Sequence, residues 1–261
     1  MSRLAPVAEN STLWRADSLA QPAGRVLSTG HATLDPQLPG GGWPVGALVE
    51  ILQAHSAQNE WRLLLPALAR SGSGPVVLVG APHMPFGPGL SAQGLAPERL
   101  LWIRAEEPAA RMWACEQALR CTQVEAVLGW LPQARADQLR RLQMAAAAHG
   151  KLLFVMRPAR AQNESSPAVL RLLAGLQPQG DGVQVDILKR KGPPIAQALQ
   201  LPARAARLAA LLGCGGAGLH RSARVSVSAP GRSGQGDPAG AAASPLIPKA
   251  GDALDRVAAA A

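Results

Sequence analysis

Ala47-Leu48-Val49-Glu50-Ile51-Leu52, Gln53-Ala54-His55-Ser56-Ala57-Gln58-Asn59-Glu60 and Trp61-Arg62-Leu63-Leu64-Leu65 follow one another without a break: a short β-type run, a polar turn, a helical run. Trp61, Leu64, Leu65 and Leu68 recur at helical spacing, so residues 60–70 are expected to form a helix that Pro66 kinks or restarts. A turn so placed grips a triphosphate when glycines let backbone N–H groups close around phosphate. It also needs a Lys to reach the β- and γ-phosphates and a Ser or Thr hydroxyl to hold Mg²⁺. The turn 53–60 contains no Gly and no Lys, and Glu60 stands where that hydroxyl belongs. A carboxylate there repels a triphosphate. The frame of a nucleotide-binding core is therefore expected without ATP hydrolysis.

Outward from this stretch, buried-strand signals recur at 75–80, 100–104, 126–130 and 151–156, separated by helical segments at 108–120 and 134–149. The Pro- and Gly-rich residues 81–94 predict a loop. Ser166-Pro167 reads as an N-cap followed by Pro at the first helical position, opening a helix toward Gly175. Val183-Gln184-Val185-Asp186-Ile187 alternates with period two and should be half buried near a sheet edge, and residues 195–201 return as a hairpin strand. Strands separated by helices predict an α/β fold with a mainly parallel sheet and a C-terminal antiparallel hairpin. The organisation expected is an N-terminal arm over 1–27, a core over 28–212 and a flexible tail over 213–261, whose Gly, Ala, Ser and Pro cannot bury enough surface to order it. Within the core's last part, 203–212 reads as a short amphipathic helix.

A chain of 261 residues, 48% hydrophobic, can bury a sizeable core in one domain. Its 26 Lys+Arg against 17 Asp+Glu give a formal net charge of +9. That balance favours nucleic acid or an acidic protein surface as partner, although an Arg- and Ala-rich composition also follows from a high-GC genome. Cys115, Cys121 and Cys214 form no C-x-x-C pair and the five His are scattered, so neither a metal site nor a disulfide framework is readable. No secretory signal and no membrane-length apolar run are present, which predicts a cytoplasmic protein with structural thiols and no membrane contact.

The ordered segments from Ser28 to Pro194 resemble bacterial RecA. They are more similar to the RecA- and SulA-like family that includes the ImuA group of translesion DNA synthesis-associated proteins. The strings that carry this are Leu13-Trp14-Arg15, Thr29-Gly30 with Leu34-Asp35, Leu38-Pro39-Gly40-Gly41-Gly42-Trp43-Pro44, Glu60-Trp61-Arg62-Leu63-Leu64-Leu65-Pro66, Trp113-Ala114-Cys115-Glu116-Gln117, Arg140-Arg141-Leu142-Gln143 and Ser166-Pro167-Ala168. The resemblance implies a RecA-like P-loop NTPase fold with a degenerate P-loop. The RecA strand that should end in a Mg²⁺-orienting Asp matches Ala126-Val127-Leu128-Gly129-Trp130, which has no carboxylate. The RecA acid that activates water would fall at Glu106 or Glu107, which read more simply as a solvated helix start before Pro108.

RecA's two DNA-gripping loops map onto 131–135 and 157–164, both short here. Arg157 and Arg160 in the second are candidates for phosphate contact, the alternative being a solvated loop. Lys189-Arg190-Lys191, with Arg204 and Arg207 beyond, is a candidate basic face or a solvated sheet edge kept from unwanted pairing. Trp43, Trp61, Trp102, Trp113 and Trp130 fall in expected core elements. Packing is therefore their default role, and Trp14 alone is a candidate partner anchor. No cofactor, metal or catalytic residue is expected. The function the resemblance implies is a non-catalytic accessory factor in SOS-induced error-prone synthesis. Its partners would be an ImuB-type Y-family polymerase-like protein, an error-prone C-family polymerase, RecA and DNA. A divergent ATPase and a SulA-like division inhibitor are the alternatives.

Overall fold

The run 47–53 lies at the centre of the sheet. In a computed structural model that describes residues 24–56, 59–177, 182–195 and 197–202, strand β3 (Ala47–Gln53) is buried along all seven residues. Only a strand covered on both faces reads as such a continuous apolar run. Val49 and Ile51 join Trp43, Leu63, Leu64 and Phe154 in one core, which helix α1 (Glu60–Leu68) covers. Leu48 joins the other with Val77, Val79, Val127 and Leu153, beneath helices α3 (Pro108–Arg120) and α4 (Ala136–His149).

The remaining strands are β1 (Val26–Leu27) and β2 (Trp43–Pro44), which form a small antiparallel ribbon, then β4 (Val76–Val79), β5 (Leu100–Ile103), β6 (Ala126–Trp130), β7 (Leu152–Pro158), β8 (Leu170–Leu176), β9 (Val183–Lys189) and β10 (Leu199–Leu201). The main sheet has eight strands in the order β10-β9-β8-β3-β7-β6-β4-β5. From β8 to β5 every pairing is parallel, and β9 and β10 add antiparallel. This is the α/β class with the mostly parallel sheet and terminal hairpin that the alternating segments predict. The region from 1 to 23 with Trp14, the segment 203–212 with Arg204 and Arg207, and the tail 213–261 with Cys214 lie outside the described residues.

Three expectations are corrected. Residues 81–94 are not all loop, because Gly87–Ser91 forms a short helix, α2, with Pro88 in its first turn. Trp113 does not pack in the core: α3 buries Ala114, Cys115, Ala118 and Leu119 instead, leaving Trp113 66% exposed. Ser166-Pro167 does not open a helix. The Ser166 hydroxyl accepts the Ala168 N–H at 3.1 Å in a local turn, and the chain then enters the sheet as β8 beside β3. Leu170, Leu172 and Ala174 are buried at period two, and a helix here would leave that edge of β3 without its parallel neighbour.

The sheet also places charges at its centre. Glu50 on β3 is fully buried, and its two carboxylate oxygens are taken separately by arginines of the flanking strands. Arg157 Nη1 on β7 donates to Oε1 at 3.1 Å, and Arg171 Nε on β8 donates to Oε2 at 2.6 Å. Arg171 then caps the carbonyls of Ala161, Gln162 and Glu164, while Arg157 reaches the Ala134 carbonyl and the Glu164 carboxylate. The excursion between β7 and β8 is thereby folded back onto the sheet. Glu50→Ala should lower unfolding free energy by about 3–5 kcal/mol in urea titration, because it leaves the buried Arg171 without a counter-charge and Arg157 with Glu164 alone. Replacing Glu50, Arg157 and Arg171 together with Leu and Met should recover only part of that loss, because the carbonyls of Ala134, Ala161, Gln162 and Glu164 then lose their donors.

Candidate functional site

The turn that decides the sequence reading is closed by the chain's own side chains. Gln53, at the end of β3, accepts the Asn59 N–H through Oε1 at 3.2 Å, across the turn. Glu60 opens α1 and is 1% exposed. Its Oε2 accepts the Asn59 N–H at 3.1 Å, and its Oε1 accepts the indole N–H of Trp130 at 2.9 Å. A helix N-terminus attracts negative charge through its unpaired N–H groups and its dipole. Here that negative charge is a protein carboxylate. Trp130 ends β6, so this bond ties the last residue of that strand to the first residue of α1. The Trp130 partner of Glu60 was not foreseen from sequence, although a lone carboxylate facing a strand that ends in an N–H donor is a readable signal.

The glycine-rich string is structural. Gly40 and Gly41 adopt φ near +79°, and at Gly42 an added Cβ would lie 2.3 Å from the Leu27 carbonyl oxygen, so only glycine lets β2 pair with β1. This delivers Trp43 to the core, where it meets Phe154 edge-on at 5.4 Å between ring centroids.

At the carboxyl ends of β4 to β7, where open α/β sheets place ligand sites, two adjoining hollows of about 490 and about 320 Å³ share Glu106, Arg111 and Pro132. Arg111, from the first turns of α3, holds the strand tips together. Its Nε donates to the Ala105 carbonyl at 2.7 Å and its Nη1 to the Trp130 carbonyl at 3.3 Å, and its side chain occupies the space beside Gly80 that a Cβ would need. Arg104 lies over the Trp102 ring, 5.3 Å from its centroid. Glu106 and Glu107 are exposed at the rim, Glu107 in the N-cap position of α3 without a capping hydrogen bond. The hollow thus offers cations, exposed carboxylates and apolar walls. Among the described residues, no three His, Cys, Asp or Glu side chains gather as a metal site.

The sequence candidates fare differently from one another. Arg157 is corrected: it is 4% exposed and spent on Glu50, Glu164 and Ala134, because its place on β7 points it into the sheet's second core. Arg160 is exposed on the turn Ala159–Asn163 that follows. Lys189 donates to the Ser166 carbonyl at 2.9 Å, tying the end of β9 to the same excursion that carries Arg160. Arg190 donates to the carbonyls of Pro193 and Gln37 and so clips the hairpin to the N-terminal part, while Lys191 is exposed. Of the cysteines, Cys115 is buried, which pushes its thiol up to about 12, and Cys121 is exposed.

No family model matches the chain. It is 34% identical over 118 residues to the cell division inhibitor SulA of Edwardsiella piscicida, a match that takes in 44% of this chain and 70% of that protein. The chain belongs to the SulA/ImuA-like family. It is also 33% identical over 112 residues to the SulA of Photorhabdus laumondii, covering 42% of this chain and 63% of the relative. With the protein ImuA of Caulobacter vibrioides the identity is 32% over 135 residues, 48% of this chain and 54% of the relative. The chain therefore spans between about half and somewhat over two thirds of these relatives' lengths.

In this SulA/ImuA-like chain the string Ser28–Asp35 is fastened to α1. Gly30, at φ +82°, lies against Pro66 and Arg70 where a Cβ would collide with both. Pro66 has no N–H to give the carbonyl of Arg62 one turn earlier, and the buried His31 ring faces this part of the helix, its Nε2–H donating to the Leu63 carbonyl at 3.1 Å. Burial pushes the His31 imidazole below its ordinary 6.5, outweighing the Leu63 and Arg62 backbone and the charge of Asp35. Burial also acts to raise Asp35, but hydrogen bonds from Thr29 and Ser28 together hold it below its ordinary 3.8. The native state therefore binds fewer protons than the unfolded chain, so stability is full above the unfolded His value of 6.5 and falls as pH drops below it. The Asp35 contribution holds above 3.8 and is lost only in stronger acid. The urea midpoint of the wild type should fall as pH drops below 6.5, and His31→Gln should flatten that slope while lowering the midpoint at neutral pH.

Proposed function

We propose that this protein is a non-catalytic accessory factor of SOS-induced, error-prone translesion DNA synthesis, acting through protein contacts on a RecA-like frame whose nucleotide position is filled from within. The observation that carries this reading is the Glu60–Trp130 hydrogen bond. A triphosphate entering the turn would meet a buried carboxylate and would have to break its bond to the indole, with no lysine to offset the repulsion. The RecA-like frame is supported by the strand–turn–helix at the centre of a mostly parallel sheet and by the end of β6 lying against the first residue of α1. The relatives named ImuA support the translesion assignment. An ImuB-type polymerase-like protein, an error-prone C-family polymerase and RecA are the partners this reading names, in the cytoplasm.

A second reading, a SulA-type inhibitor of cell division, is favoured by the match that covers the larger share of its relative. Co-purification from DNA-damaged cells separates the two: polymerase subunits support the first reading, the tubulin-like division protein the second. A divergent ATPase is disfavoured by Glu60. Purified protein should show no sustained Mg²⁺-dependent ATP turnover and no rise in melting temperature with MgATP. Turnover abolished by changes at Gln53 or Glu60 would reverse this conclusion.

Direct DNA contact, where it occurs, falls to Arg160, Lys189 and Lys191, since Arg157 is buried. Changing these three to Ala should weaken binding to single strands and reduce the slope of log K against log salt by about 0.7 for each phosphate no longer neutralised. An unchanged slope removes them from any DNA interface.

A further inference from the structure

Helices α3 and α4 turn their outer faces away from the sheet, and those faces have an unusual composition. Trp113 on α3 and Met144 on α4 are each 66% exposed and have no part in either core. The exposed residues one turn before Trp113 and one turn after Met144 are alanines, so two large apolar side chains stand out from low relief. Between them, Glu116 is bonded to Arg120 of its own helix at 2.6 Å and to Arg141 of α4 at 2.7 Å. Each arginine gives Glu116 one nitrogen and remains more than half exposed, whereas Glu116 is mostly covered. The carboxylate therefore orders the two guanidinium groups and leaves the face with an excess of positive charge.

From this surface we infer that the α3–α4 face docks an acidic amphipathic helix of a partner protein, with Trp113 and Met144 taking its apolar stripe and Arg120 and Arg141 its flanking carboxylates. Two helices side by side form a shallow groove of the kind that accepts a helix through anchors at i, i+3, i+4 and i+7. Trp and Arg are also the residues in which interface binding energy concentrates. The charge selects the partner's sign: guanidinium groups already oriented by Glu116 lose little freedom on meeting a second carboxylate. Single-stranded nucleic acid fits less well, because base stacking needs successive aromatic platforms and this face has one aromatic among alanines.

The inference rests on the reading of a protein that works by contact, and it is tested without ATP, polymerase or division protein. The probe is a fluorescein-labelled synthetic helix of Leu and Glu with leucines at i, i+3, i+4 and i+7, titrated with the full chain. Trp113→Ala should weaken binding by at least about tenfold and Trp113→Phe by less. Arg120→Glu with Arg141→Glu should abolish it and create binding to the same peptide with Lys for Glu, a reversal that mere loss of structure cannot produce. Melting curves on each variant check the fold. Equal affinity across the variants, or no binding by the wild type, overturns the proposal. So does an oligo-dT strand that binds more tightly and is lost in the same variants, or a wild-type dimer that Trp113→Ala dissociates in sedimentation. Failure here leaves the absence of ATP turnover untouched, and turnover, should it appear, leaves this face untouched.

Discussion

A carboxylate buried in the middle of a parallel sheet must be neutralised where it stands, and Glu50 is neutralised by one arginine on each neighbouring strand. That requirement sets much of the fold. It places Arg171 on a strand rather than a helix, so β8 joins the sheet next to β3. Arg157 is turned inward by the same demand, which removes it from the surface and draws Glu164 and the Ala134 carbonyl toward the sheet. The excursion between β7 and β8 is then held by carbonyls bonded to Arg171 together with the buried Ala161 and Ala168. A buried ionic network of this kind adds little net stability compared with apolar residues of the same size, but removing one member is costly, so it fixes one arrangement against others.

A second constraint operates at the carboxyl ends of the strands. In open α/β sheets these ends leave carbonyls, helix N-termini and a crevice for a ligand. Here side chains meet several of those demands: Glu60 at the start of α1, Gln53 across the turn, and Arg111 against the carbonyls of Ala105 and Trp130. A hydrolysing enzyme keeps such groups available because its ligand must come and go. Groups satisfied by the chain itself remain satisfied when nothing is bound.

Much of this was legible in the sequence where periodicity was strong. The buried run 126–130 and the helical run 108–120 match β6 and α3 residue for residue, because an uninterrupted apolar strand and a Pro-led helix leave few alternatives. That the turn 53–60 holds neither Lys nor Gly is plain in the sequence. The bond between Glu60 and Trp130 was not visible, because the two are 70 residues apart and meet only through the sheet. Ser166-Pro167 misled because a hydroxyl before Pro serves a local turn as well as a helix cap. The decisive signal lay five residues later, in the charge of Arg171 among leucines. Glu50 within Leu-Val-Glu-Ile-Leu carried the complementary signal: a lone charge in an apolar run predicts a counter-charge on the strand beside it. Trp113 misled because aromatics default to the core, and only the burial of Ala114, Cys115, Ala118 and Leu119 shows that α3 has its face elsewhere.

A nucleotide-driven protein is switched by a ligand that binds one of its states better than another. Under the proposed function, the Glu60–Trp130 bond takes the place of that ligand, and no differential affinity drives a cycle. On the reading proposed above, control passes from nucleotide state to abundance and to the concentration of partners, through mass action. Such a protein gains from a rigid sheet and has no use for a compliant one. The ionic clamp at Glu50 and the Arg111 lock at the strand tips supply that rigidity on the two sides of the β3–β7–β6 centre. The helices α3 and α4, which pack on this rigid centre but take no part in the filled turn, are then free to present a surface of fixed shape.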